Sequence, residues 1–260
     1  MHRPRPGASW PALLLLLAAA HATAAQEVSI AFVGDRNSSA WLGAQQGLEE
    51  ARLQGEFLGL QYSLTDDAGK ADAIVAALPT AELLQLAGRH PGRPVLGVGN
   101  SDPAARKACR ANLLLLQPSD DMLANAVTQW RSKHPDDAVQ ARAWHADFEK
   151  YAAAQLNHRY SEKAGKPMDD AAWSGWAAVK VLSDTVARLQ SAQGADLLQA
   201  LRGDLAFDGQ KGVDLSFRSD GQLRQPVLLV RGGKLVGEAP VRGVADALDS
   251  LGASHCPPSR

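Results

Sequence analysis

Five short apolar runs punctuate the first half of the chain: Val28 to Val33, Leu58 to Leu64, Ala73 to Leu78, Val95 to Gly99 and Ala111 to Leu116. Unbroken apolar runs of this length suit strands covered on both faces, the situation inside a parallel sheet. Helical spacing fills most of the gaps. Asn37-Ser38-Ser39 offers caps to a segment carrying Leu42, Leu48 and Leu53, and Pro79-Thr80 leads into Glu82 to Leu86. Pro118-Ser119-Asp120 opens a further helix that ends near His134-Pro135. The alternation predicts an α/β chain with a doubly wound parallel sheet.

One joint breaks the pattern. Parallel neighbours need a crossover of about a dozen residues, yet only Thr65 to Lys70 and Ala71-Asp72 separate the second and third runs. The expectation is a stretched coil or an altered strand order.

The second half predicts a helix from Arg142 to Ala164, broken at Gly165-Lys166-Pro167. Asp169 or Asp170 then caps a longer helix with Trp173, Trp176, Val179, Leu182 and Val186 at three-to-four spacing, and a short helix surrounds Leu197 to Leu201. Strand-like runs follow at Val213 to Arg218 and Pro226 to Arg231, joined by a Ser219-Asp220-Gly221 turn. Gly232-Gly233 turns into Leu235-Val236.

The first 25 residues combine a basic start (His2, Arg3, Arg5), an apolar stretch from Ala12 to Ala20 and a small-residue exit at Ala22-Thr23-Ala24. This predicts a secretory signal peptide over residues 1–25, a periplasmic destination and no membrane insertion after cleavage. The apolar stretch is too short to span a bilayer. Acids and bases nearly cancel, 28 against 27, so no basic face points to nucleic acid. Cys109 and Cys256 lie far apart; in an oxidising compartment they form either a disulfide tying the tail to the first lobe or two unpaired thiols.

Catalytic signatures are missing from the sequence. No nucleophile elbow, phosphate-binding loop or dinucleotide glycine pattern occurs, and Gly97-Val98-Gly99 lacks a third glycine. His134, His145 and His158 lack metal-ligand spacing, and Asp136-Asp137 and Asp169-Asp170 read as caps and turns. The reading is a chain that is not an enzyme and carries neither cofactor nor metal.

Several stretches carry a family resemblance. They are Gly55-Glu56-Phe57-Leu58-Gly59, Asn100-Ser101-Asp102 with Cys109-Arg110-Ala111-Asn112, Pro118 to Ala124, Ala143-Trp144-His145 with Gln155-Leu156-Asn157, and Asp170-Ala171-Ala172-Trp173. The most specific is Leu215-Ser216-Phe217-Arg218 leading into Asp220-Gly221-Gln222-Leu223-Arg224-Gln225-Pro226. Together they resemble the substrate-binding-protein-like component of the ABC transporter system associated with PQQ-dependent alcohol dehydrogenases. That family is similar in turn to the branched-chain amino acid, or type I, periplasmic binding proteins. The resemblance implies a Rossmann-like parallel-sheet lobe formed by residues 26–134 and returning helices over 142–205. Residues 206–260 would be a C-terminal β-hairpin appendage and tail, with the hairpin a remnant of the second lobe's sheet. Most of that second lobe, on the order of 100 residues, has no counterpart around Pro135 to Ala141.

In open parallel sheets ligands sit beyond the carboxyl ends of the strands. This selects the loops holding Asn37 and Ser38, Thr80, and Asn100 with Ser101. The resemblance implies that Thr80, Asn100 and Ser101 grip a carboxylate or amino group through hydroxyls and helix N-terminal amides; the bland alternative makes them ordinary caps. Three roles follow. The first is solute capture for an ABC transporter or alcohol-oxidation system, with transporter membrane components or periplasmic dehydrogenase components as partners. The second is a scaffold that has lost solute binding and docks another protein, or a second copy of itself, on the open face. The third, an enzyme, has no supporting motif.

Overall fold

The structure, a computed structural model, describes residues 25–257 except 246 and 255. The expected signal peptide therefore lies almost wholly outside the described residues. Five parallel strands form the main sheet in the order β2-β1-β3-β4-β5: β1 (Gln26–Val33), β2 (Leu60–Thr65), β3 (Ala73–Ala76), β4 (Val95–Gly97) and β5 (Leu113–Leu115). The connecting helices are α1 (Ser39–Leu58), α2 (Thr80–Arg89) and α3 (Pro103–Lys107). Alternation along the strands divides the core. Val28, Ile30 and Phe32 of β1, with Val75, Leu96 and Leu114, face α1 and the later helices α6 (Asp170–Leu189) and α7 (Gly194–Gly203). Ala31, Ile74, Val95, Leu113 and Leu115 face α2 and α3 through Leu83, Leu86 and Ala105. The result is a three-layer α/β/α lobe.

The short joint has a geometric solution. β2 pairs with Gln26 to Ala31 of β1, whereas β3 pairs with Ile30 to Val33 on its other side. The two strands are staggered, so the chain leaves Thr65 beside Ala31 and enters Ala73 beside Ile30. Crossing β1 then requires almost no return along the strand axis, and a turn suffices. Asp72 anchors it: the Ser29 amide donates to Asp72 Oδ2 at 2.8 Å, and the Asp72 amide donates to Ser29 O at 2.9 Å.

Helices α1 and α6 approach closely because small residues face each other. A Cβ on Gly43 would lie 1.9 Å from Ala172 O, and one on Gly175 would lie 2.1 Å from Ala40 O. Trp173 and Trp176 fill the core beside this seam, both at least 98 % buried.

A second, antiparallel sheet in the order β10-β9-β6 joins β6 (Gln140–Arg142), β9 (Val227–Arg231) and β10 (Lys234–Ala239). Helix α4 (Asp120–Lys133) covers it, and Met122, Ala126, Val139, Val227, Leu229, Ala239 and Leu251 form its small core. The C-terminal segment runs over the same helix, where Gly252 N donates to Asn125 Oδ1 at 2.8 Å.

Three expectations need correction. Arg142 to about Ala152 is not helical: β6 pairs with β9, and α5 spans only Ala153–Ala164. Trp144 explains why, since its amide donates to Asp170 Oδ1 and its indole Nε1 to Asn157 Oδ1, while Tyr151 and Ala152 take left-handed conformations that bar a continuous helix. The α1 helix also absorbs Leu58, and Gly59 in the left-handed conformation ends it before β2. Finally, only one arm of the expected hairpin joins the second sheet: β9 does, whereas β7 (Ser216–Phe217) pairs with β8 (Leu223–Arg224) in a separate hairpin. It docks on the edge of β5, where the Leu115 amide donates to Gly221 O at 2.7 Å and Gln222 bridges Leu115 in parallel. The α3 helix was not anticipated, although the Asp102-Pro103 pair is a cap followed by a first-turn proline.

Candidate functional site

At the carboxyl ends of β1, β3 and β4 the chain leaves an open depression of about 600 Å³. Ser38, Thr80, Asn100 and Ser101 line it together, with Asp102 added and Ala40, Ala77 and Ala171 among the apolar lining. Asn37 does not; its amide turns back to Asp35 Oδ1 at 2.8 Å on the exposed side of the loop.

Each polar residue has a local reason for its place. Ser38 caps α1, accepting from Trp41 N and donating to Asp35 O. Asn100 is 93 % buried and acts as a bracket: its Nδ2 donates to Leu78 O and Thr80 Oγ1, and its Oδ1 accepts from Asp102 N. Thr80 Oγ1 donates to Asp102 Oδ2 at 2.6 Å. That hydroxyl, followed by the Ala104 amide, holds the Asp102 carboxyl below the usual carboxylate range. Ser101 lends its carbonyl to Asp120 N, at the start of α4. No side chain caps α2, whose first residue is Thr80 and which follows Pro79. An uncapped helix start gathers amide donors and partial positive charge toward the depression, a setting that suits a carboxylate.

A second polar cluster lies where the two sheets meet, and sequence reasoning missed it. Lys211 is 98 % buried. Its Nζ donates to Ala143 O at 2.7 Å, Gln225 Oε1 at 2.6 Å and Pro226 O at 2.9 Å, and it sits 4.0 Å from the Trp173 ring centroid. Gln225 Nε2 in turn donates to Leu116 O at 2.5 Å. One lysine and one glutamine thereby tie three chain crossings between the sheets: after β5, after β6 and before β9. Burial pushes the Lys211 ammonium down to about 7, while Asp170 and Glu238 pull the other way. Nearby, Arg106 donates to Gln222 Oε1, Asp102 O and Gln117 O, pinning α3 to the β7–β8 hairpin. A lysine alone in a Gly-Gln-Lys-Gly loop carries no periodicity, so nothing in the sequence marked it as buried.

The sulfurs of Cys109 and Cys256 are bonded, with α-carbons 5.8 Å apart. Among the described residues no group of three or more His, Cys, Asp or Glu could hold a metal, and no helix is long and apolar enough to cross a membrane.

Solved structures with the same architecture set this geometry in context. A periplasmic binding protein from Burkholderia mallei aligns with TM-score 0.65 and 13% identity, over 83% of this chain and 95% of its own. An amino acid ABC transporter substrate-binding protein from Pseudomonas fluorescens aligns with TM-score 0.64 and 14% identity, over 90% and 100%. The fold is that of a type I periplasmic binding protein. A Desulfitobacterium hafniense substrate-binding protein in complex with Leu (TM-score 0.64, 12% identity, 81% and 99% covered) shares it. So does a Rhodopseudomonas palustris solute-binding protein in complex with benzoate (TM-score 0.62, 12% identity, 82% and 95% covered). No family model matches the chain, and no curated protein sequence matches it.

Proposed function

We propose that this chain is a periplasmic substrate-binding-protein-like component that captures a small carboxylate-bearing solute for an ABC transport system. The resemblance of the Leu215 to Pro226 stretch attaches that system to PQQ-dependent alcohol oxidation. The observation carrying the proposal is the gathering of Ser38, Thr80, Asn100 and Ser101 around the uncapped start of α2. The solute's carboxylate takes the amides of α2 and the Ser101 hydroxyl, with the Thr80 hydroxyl turning from Asp102 to the solute on binding, and the small sheet β6-β9-β10 stands in for the second lobe. That the neighbouring structures include complexes with Leu and benzoate, both carboxylates, supports this choice of solute class.

Calorimetric titration with L-leucine and with benzoate tests it. Binding of either, weakened about tenfold or more (about 1.4 kcal/mol) in a folded Thr80→Ala/Ser101→Ala variant, is the expected result. Binding that is unchanged in the double variant moves the site elsewhere. A folded chain that binds no carboxylate favours the docking reading, which the mutual engagement of Thr80, Asn100 and Asp102 also suits.

A further inference from the structure

The end of α1 opposite the depression exposes an apolar group that the solute site does not use. Leu53, Phe57 and Leu58 are 63, 88 and 42 % exposed. Singly exposed apolar side chains are ordinary; three within six residues on one helix end are not. Beside them a hollow of about 530 Å³ is lined by Glu27, Arg52, Glu56, Leu60, Gln61, Tyr62 and Ser63. β2 is the outermost strand there, but Arg52 Nε donates to Tyr62 O at 2.9 Å, so that edge carbonyl is already occupied. Addition of a foreign strand is thereby disfavoured, and the helix surface is what remains on offer.

We infer that this face pairs with a second copy of the chain about a two-fold axis, with the two α1 ends antiparallel. The charge pattern selects a copy of itself as occupant. Leu53 and Phe57 are four residues apart, as are Arg52 and Glu56, so each pair spans one helical turn on neighbouring rows. The first pair centres on Gly55 and the second on Gln54, so an axis between the two leaves each pair about 1.5 Å from directly facing, within reach of these long side chains. Leu53 then meets the partner's Phe57, and Arg52 meets the partner's Glu56, each twice by symmetry. The same placement sets Phe57 over the partner's hollow, whose rim includes Arg52 and Glu56. An unrelated partner would need this alternation by coincidence; a second copy has it by construction.

Three side chains supply at most a few hundred Å² of the roughly 800 Å² per partner typical of a stable interface. The contact therefore draws on the β2 hollow as well and is concentration-dependent, with Kd on the order of tens of micromolar. At 1.5 Å per residue, the turns of α1 between Ser38 and this face hold it about 25 Å from Ser38, so pairing leaves both depressions uncovered.

Sedimentation velocity on the purified chain from about 5 to 500 µM tests the pairing. The expected result is a shift from monomer to dimer that Phe57→Asp abolishes. Arg52→Glu alone and Glu56→Arg alone should each lose dimerisation, because each sets like charges together at both ends of the contact. Mixing those two variants should restore a dimer, since every Glu then faces an Arg. A wild-type monomer at all concentrations, unaltered association of Phe57→Asp, or a mixture no better than its components would each overturn the inference. Titration with carboxylates is independent of these readouts, so this pairing and the solute site stand or fall separately.

Discussion

The parallel lobe and the antiparallel sheet solve the same problem by different means. The lobe buries apolar side chains on both faces of five strands, with buried polar brackets such as Arg106 and Asn112 at its loops. The small sheet has seven buried apolar residues in its own core and reaches the main core through Leu228. Directional groups reinforce its place: the Lys211 ammonium at the crossings, Arg218 donating to the Leu248 and Leu251 carbonyls, and the disulfide closing the tail. Apolar area scales with the size of a region, whereas a hydrogen bond or covalent link does not. Buried polar residues such as Arg106, Lys211, Gln222 and Gln225 accordingly sit at the joints between elements and not on the small sheet's own strands.

The contrast can be broken at its strongest point first. Gly43→Ala would drive a Cβ into the Ala172 backbone, so α1 and α6 must separate. The expected loss is about 3 kcal/mol, or a Tm fall of about 6–12 °C by calorimetry. Gly88→Ala, where a Cβ meets nothing within 4 Å, serves as the control and should be neutral or slightly stabilising.

At the junction, Lys211→Met keeps the bulk but strands three buried acceptors. A loss of about 2 kcal/mol at pH 6 by urea denaturation is expected. Its pH dependence sharpens the point. Lys211 is depressed to about 7 in the folded chain. Above that pH the unfolded chain still holds the proton that the folded chain has released. Wild-type stability should therefore gain about 1 kcal/mol per pH unit from this group between pH 7 and 10, and Lys211→Met should lack that gain. Parallel pH profiles of the two proteins would show Lys211 to be a mere space-filler.

The effect of Cys256→Ser is comparable in size but more confined in place. It should cost about 2 kcal/mol and raise hydrogen exchange mainly at residues 247–254, because the main lobe does not depend on the tail. Equal deprotection of β1 and β3 would mean that the two regions are one cooperative unit.

The sequence displayed the lobe clearly because its strands are uniform apolar runs and its helices carry caps such as Ser38 and Asp169. Thr80, Asn100 and Ser101 were legible for the same reason: strand ends locate loops, and topology brings the loops together. Asp102 was hidden because it reads as a cap. Residues 142–152 misled because Ala143, Ala146 and Ala152 favour a helix locally, while the Trp144 and Asn157 contacts that override this are tertiary. The stagger of β2 and β3 was illegible too, since register has no local signature.

The Cys109–Cys256 bond joins positions 147 residues apart and encloses α4, α5, α6, α7 and the whole second sheet in one covalent ring. A single backbone cut anywhere between those cysteines opens the ring without releasing a fragment. A protease that nicks an exposed loop in the second half thus leaves both pieces tethered and able to re-seat. Such damage would be invisible on a non-reducing gel and would show as two bands only after the thiols are freed.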